Sequence, residues 1–117
     1  GRYEVFIHGG KKSTGLDPVE FASAMEAMGA GEILLTAIDR DGTQEGYDLD
    51  LIKKVTEAVN VPVVACGGAG KLDDFRLAVK EASASACAAG SMVVYFGRNR
   101  AVLITFPERE KLEEVLK

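Results

Sequence analysis

A chain of 117 residues with 47% hydrophobic content makes one domain, able to bury roughly two-thirds of its unfolded surface. Its net charge of −4, with no basic stripe interleaved by aromatics, excludes a nucleic-acid-binding profile. No apolar run approaches the roughly 20 residues of a membrane helix, and the N-terminus has no signal-peptide profile, so a soluble cytoplasmic protein is expected.

Arg2 to His8 reads as a strand, with Tyr3, Val5 and Ile7 on one face, followed by a polar loop over Gly9 to Gly15. Asp17-Pro18-Val19-Glu20 opens a helix with a cap, a first-turn proline and a capping-box glutamate. Phe21, Ala22, Met25 and Met28 are expected on its inner face, and Gly29 or Gly31 ends it. The apolar strand Glu32–Ile38 then stops abruptly in Asp39-Arg40-Asp41-Gly42-Thr43.

Asp48 caps a second helix carrying Leu49, Ile52, Val55 and Val59 at helical spacing. Strand Val61–Cys66 follows, with Pro62 at its start, and ends in Gly67-Gly68-Ala69-Gly70. A third helix runs from Leu72 to about Ala82, with Asp73 and Asp74 complementing its dipole. Ala84–Ala89 is a small-residue strand ending in Gly90-Ser91. Ser91 to Phe96 fits either a short helix or an extension of that strand. Val102–Phe106 reads as another strand, and Pro107 opens a last helix with Leu112, Val115 and Leu116 inward.

Strand, loop and helix thus recur three times without a linker. That pattern predicts three or four parallel strands with right-handed crossovers and outer helices. Eight strands are needed to close an α/β barrel, so residues 1–117 are expected to form a single half-barrel-like domain, part of a (βα)8 TIM barrel.

Three consecutive strand ends carry polar or glycine-rich sequence, and chemistry in parallel α/β folds sits at the carboxyl ends of strands. Asp39 and Asp41 fit either a tight Asp-Gly turn or a general acid or base at the barrel mouth. The spacing is not that of a calcium loop, because the glycine falls at the fourth position instead of the sixth. Gly67, Gly68 and Gly70 match neither a P-loop nor a dinucleotide fingerprint. They would let backbone amides approach an anion, and Gly90-Ser91 on the next strand offers amides plus a hydroxyl. The alternative is a pair of glycine-rich connectors. Thr36 alternates with Leu35 and Ala37, so it is expected to point into the barrel beside Asp41. Lys11 and Lys12 follow a Gly-Gly hinge that could fold over an anion, although such pairs are usually only solvated. His8, the single histidine, has no visible partner. Cys66 and Cys87 sit inside apolar strands at a spacing that fits no zinc site, so reduced thiols are expected, with neither a metal nor another cofactor.

The segment Gly29-Ala30-Gly31-Glu32-Ile33-Leu34-Leu35-Thr36-Ala37-Ile38-Asp39-Arg40-Asp41-Gly42-Thr43, followed by Gly46-Tyr47-Asp48, closely resembles the cyclase subunit of imidazole glycerol phosphate synthase. Val61 to Gly70 and an opening hairpin with Gly10-Lys11-Lys12-Ser13-Thr14-Gly15 resemble it too, over about residues 2 to 96. The resemblance implies a (βα)8 barrel of histidine biosynthesis. Such a cyclase uses ammonia from a glutaminase partner to cyclise a bis-phosphorylated ribonucleotide. It further implies that Asp41 is the strand-six aspartate beside the substrate, with Thr36 and Gly42 next to it. Gly68, Gly90 and Ser91 would form the second phosphate site, and Lys11 and Ser13 belong to a mobile loop over the substrate.

The family's principal catalytic aspartates lie on strands one and five, and this chain matches the family only from the hairpin after strand five. Cys66 and Gly90 stand where serine and alanine are usual, and residues 97–106 form a longer segment than in common members. The resemblance therefore implies the C-terminal half of such a cyclase, binding a phosphorylated small molecule or free phosphate with negligible turnover alone. Alternatives are a non-catalytic phosphate-binding or structural module, homo-oligomeric through exposed strand edges, and the related phosphoribosyl formimino isomerase. Leu34-Leu35-Thr36-Ala37-Ile38-Asp39 fits the cyclase better than the isomerase.

Overall fold

The computed structural model describes residues 3–96 and 99–117, without the side chain of Phe96. Arg2, Gly97 and Arg98, which the sequence reading included in its first strand and in its long final segment, lie outside the described residues.

The first strand is shorter than expected. β1 (Phe6–Ile7) pairs antiparallel with β2 (Lys12–Ser13). The bonds Val5 N to Leu16 O (2.9 Å) and Thr14 N to Val5 O (3.0 Å) extend the hairpin outward. Two glycines with positive φ, Gly9 and Gly10, turn the chain. Helix α1 (Pro18–Ala27) begins as the sequence predicts, with the Asp17 carboxylate accepting from the amides of Val19 and Glu20.

Three parallel strands form the central sheet in the order β3 (Ile33–Thr36), β4 (Val63–Cys66), β5 (Ala86–Cys87). Ile33 aligns with Val63, Thr36 with Cys66, and Ala65 with Cys87. Helix α2 (Leu49–Ala58) joins β3 to β4, and α3 (Leu72–Lys80) joins β4 to β5. Asp48 caps α2 through the Leu51 amide.

Alternation along the strands decides which face is covered. Ile33, Leu35, Val63 and Ala65 point to the helices, where Val55 and Ala65 are completely buried. One core cluster joins Ala22 of α1 to Leu51, Val55 and Val59 around α2 and to Val63 of β4. A second joins Tyr47, Ile52, Ala65, Phe75, Ala78, Ala82 and Ala84. Successive helices pack side by side, α1 on α2, α2 on α3, and α3 on α5 (Arg109–Leu116). The opposite sheet face carries Leu34, 62% exposed, and Thr36, with Val64 and Cys66 half-buried and no helix over them. A doubly wound sheet would be covered on both faces; a layer of helices on one side is how a segment of barrel is built.

The expected strand at Val102–Phe106 forms only as β7 (Ala101–Val102), and it joins no parallel sheet. It pairs antiparallel with β6 (Tyr95–Phe96), directly after the one-turn helix α4 (Ser91–Val94). A parallel return needs a crossover of about a dozen residues or more, and the few residues between β6 and β7 allow only a hairpin. Leu103 and Thr105 continue the arm by donating their amides to the carbonyls of Val94 and Val93. Two inner-face expectations for α1 also change. Met28 is 80% exposed and Phe21 is exposed on the uncovered side, so Ala22 and half-buried Met25 carry that contact. In α5, Leu112 and Val115 are half-buried as expected, but Leu116 is exposed.

Candidate functional site

The carboxyl ends of β3, β4 and β5 lie at one end of the sheet, and the loop after β3 spans all three. After Thr36 the chain makes a tight turn, with the amides of Arg40 and Asp41 both donating to Ala37 O. Gly42 takes φ +85, and the Thr43 hydroxyl closes back on Arg40 O at 2.7 Å. Half-buried Arg40 donates to Gly46 O and Tyr47 O, both at 3.3 Å, which shapes the loop from inside.

That loop then docks on the next two strand ends. The Gly46 amide donates to Gly68 O at 2.7 Å, and the Gln44 side chain donates to Ser91 O at 3.1 Å. Buried Tyr47 donates its hydroxyl to Ala88 O at 2.6 Å. Burial chiefly pushes the Tyr47 phenol well above its ordinary range, so it remains a neutral donor. The glycine of the Asp41-Gly42 turn meets the last strand as well, since a Cβ on Gly42 would lie 3.9 Å from Ser91 Oγ.

The glycines divide by role. A Cβ on Gly68 would lie 2.1 Å from Gly46 O, on Gly70 2.1 Å from Gln44 O, and on Gly67 2.7 Å from Ala37 O. Close approach of backbone to backbone is therefore a sufficient reason for all three. Gly70 also loses its expected availability. Its amide donates to the buried Asp74 carboxylate at 2.9 Å, as does that of Lys71 at 3.1 Å. An anion at Gly70 would have to displace Asp74. By contrast, the amides of Gly42, Gly68, Gly90 and Ser91 donate to no protein acceptor among the described residues. Gly90 is exposed and would meet nothing within 4 Å.

Asp41 is exposed, and its carboxylate makes no ion pair or hydrogen bond among the described residues. Thr36 is exposed on the uncovered face. Lys11 and Ser13 stay exposed on the hairpin, where Ser13 Oγ donates to the Glu4 carboxylate. A Cβ on Gly10 would meet the Ile38 side chain, whereas no contact of Lys11 or Ser13 with the glycine turns occurs among the described residues. His8 is exposed in the hairpin turn. The two cysteines are free and half-buried, and burial pushes the Cys87 thiol up. Among the described residues no three His, Cys, Asp or Glu side chains group as metal ligands, and no helix is long and apolar enough to cross a membrane.

A cavity of about 680 Å³ lies elsewhere, along the unpaired edge of β3. Tyr3, Phe21, Leu34, Thr36, Ile38 and Asp39 are among the residues that line it, whereas Asp41 and the glycine turns after β4 and β5 are not.

Comparison with known proteins fits this geometry. A family model described as "Histidine biosynthesis protein" matches residues 1–99. The chain belongs to that family. It is 52% identical over 95 residues to the imidazole glycerol phosphate synthase subunit HisF of Alkaliphilus metalliredigens, covering 81% of this chain and 38% of the relative. The HisF subunit of Hyphomonas neptunium is 55% identical over 95 residues, covering 81% and 37%. A putative HisF subunit of Leptospira interrogans is 47% identical over 112 residues, covering 96% and 44%. The chain thus spans less than half the length of these relatives. The histidine biosynthesis family has a TIM-barrel fold, and a three-stranded parallel sheet with helices on one face is consistent with part of one.

Sequence reasoning missed Asp74, Gln44 and Arg100. Asp74 read as a dipole charge on α3, when its carboxylate instead closes the loop before that helix. Nothing in the sequence marked Gln44 or Arg100, because their partners, Ser91 and Gly42, lie 47 and 58 positions away.

Proposed function

We propose that this chain is the C-terminal half of an imidazole glycerol phosphate synthase cyclase barrel, binding one phosphate of its substrate. The observation that carries the reading is the set of unpartnered amides on Gly42, Gly68 and Ser91, at the ends of three adjacent parallel strands. Backbone amides converging from strand ends, with a hydroxyl beside them, suit a phosphate group even in an acidic protein. Gly90 and the Ser91 hydroxyl complete the proposed site, and Asp41 is its one acid–base group, with Thr36 on the same open face. Lys11 and Ser13 would reach the ligand only if the hairpin moved toward the sheet.

Phosphate binding and turnover separate in this reading. One exposed carboxylate would have to perform both proton transfers, and losing a positioned acid or base typically costs about 10²–10⁴-fold. The chain alone is therefore a binding half with negligible turnover, and docking of a glutaminase subunit is a property of the completed barrel. The experiment is ammonia-dependent turnover of the bis-phosphorylated substrate by this chain, with Asp41→Asn as control and phosphate affinity measured alongside. Phosphate binding without turnover, unchanged in the control, is the expected result. Turnover abolished by Asp41→Asn would mean that the chain rebuilds an active site by itself.

A second reading follows from the apolar groove at the free edge of β3. An unpaired parallel edge lined by Phe6, Phe21 and Leu34 favours a second copy, giving a homo-oligomer in which the groove is filled. Sedimentation at increasing concentration tests it; a monomer throughout would rule it out.

A further inference from the structure

The arm formed by β6 and β7 returns a cation to the site from outside the shared family pattern. The family match ends at residue 99, and the next residue is Arg100. The Leptospira match takes in 112 of the 117 residues, too many to leave out residues 100–106. The position therefore belongs to a segment that at least one relative shares.

Arg100 is exposed and held by two contacts. It sits in the turn before β7, with φ +52. Its guanidinium stacks over the Tyr95 ring at 4.7 Å and donates through Nη1 to Gly42 O at 2.6 Å. Gly42 is one of the residues whose amide has no acceptor among the described residues, and a Cβ on it would lie 3.9 Å from Ser91 Oγ. A guanidinium has five N–H donors, and among the described residues only one of them finds an acceptor. No carboxylate lies within ion-pairing distance of it among the described residues. An uncompensated planar cation fixed next to unpartnered amides is a phosphate-recognition arrangement, because the fork matches two phosphate oxygens while the amides take the others.

We propose that Arg100 is an additional phosphate-binding residue, fixed by the β6–β7 arm against Gly42 and contacting the phosphate group of a phosphorylated small molecule. The inference rests on the phosphate site of the preceding section and adds to it a charged ligand that the family match does not contain.

The test is calorimetric titration of inorganic phosphate into the 117-residue chain and into Arg100→Ala, Arg100→Gln and Arg100→Lys, with far-UV circular dichroism to verify folding. Glutamine keeps a donor for Gly42 O but loses the charge. Lysine keeps the charge without the fork. Loss of a charge-assisted contact should weaken phosphate binding about tenfold or more in Arg100→Ala and Arg100→Gln, with partial recovery in Arg100→Lys. If Arg100→Gln binds as tightly as the parent, the side chain only braces the turn and the inference fails while the amide site stands. If the parent chain binds no phosphate, the site itself fails and takes Arg100 with it. Should Arg100→Ala not fold, the glutamine and lysine variants still separate charge from bracing.

Discussion

The glycine turns after β4 and β5 read alike in sequence and behave oppositely in the structure. Gly68 and Gly70 have neighbouring carbonyls where a Cβ would go, and Gly70's amide is spent on Asp74. A Cβ on Gly90, one strand over, would meet nothing within 4 Å. The first turn uses glycine to let two backbones touch; the second has room for a side chain at Gly90. A glycine cluster at a strand end therefore announces close approach, without saying whether the thing approached is a ligand or another loop.

Substitutions at the two turns should break this pairing apart. Gly68→Ala forces a side chain into Gly46 O at φ +116, and we expect a loss of about 3 kcal/mol or more in urea denaturation. A loss under about 1 kcal/mol would mean that the two loops separate readily. Asp74→Ala strips the acceptor from the Gly70 and Lys71 amides in a buried setting, with an expected cost of about 2 kcal/mol. It should also free the Gly70 amide, so phosphate affinity that rose in this variant would show Asp74 competing with the anion.

Tyr47→Phe removes the bond to Ala88 O that ties the β3 loop to β5, at about 1 kcal/mol. Its sharper readout is alkaline. The Tyr47 phenol titrates higher in the folded chain than its ordinary value of 10.0, chiefly because it is buried. The stability its bound proton supplies is complete below that value and is lost as pH rises toward the folded one. The decline of stability above about pH 10 should accordingly be shallower in Tyr47→Phe. Smallest of all, Gly90→Ala meets nothing within 4 Å and should stay within about 0.5 kcal/mol of the parent. A large loss there would make the two turns equivalent after all.

Much of the fold was legible because its signals are local. Asp17 and Asp48 cap the helices they precede, and Thr36 is exposed where its neighbours Leu35 and Ala37 are half-buried, in line with their alternation. Where an inner face was predicted from spacing alone, as for Phe21 and Met28, the reading failed. Periodicity says which residues share a side of a helix but not what stands opposite them. Along the uncovered side of β3 there is a groove instead of a neighbour.

The sequence by itself determined the strand–helix alternation, the helix caps, the family and the three strand ends where chemistry could sit. All of these depend on residues within a few positions of one another. Only the tertiary structure decided that residues 101–105 turn back as an antiparallel arm, that Asp74 occupies the Gly70 amide, and that Arg100 reaches Gly42. The physical reason is range. Arg100 and Gly42 are 58 residues apart, and Gly68 and Gly46 meet across a whole strand–helix unit. Contacts over such separations are set by how the strands register and the loops pack, which no local pattern encodes.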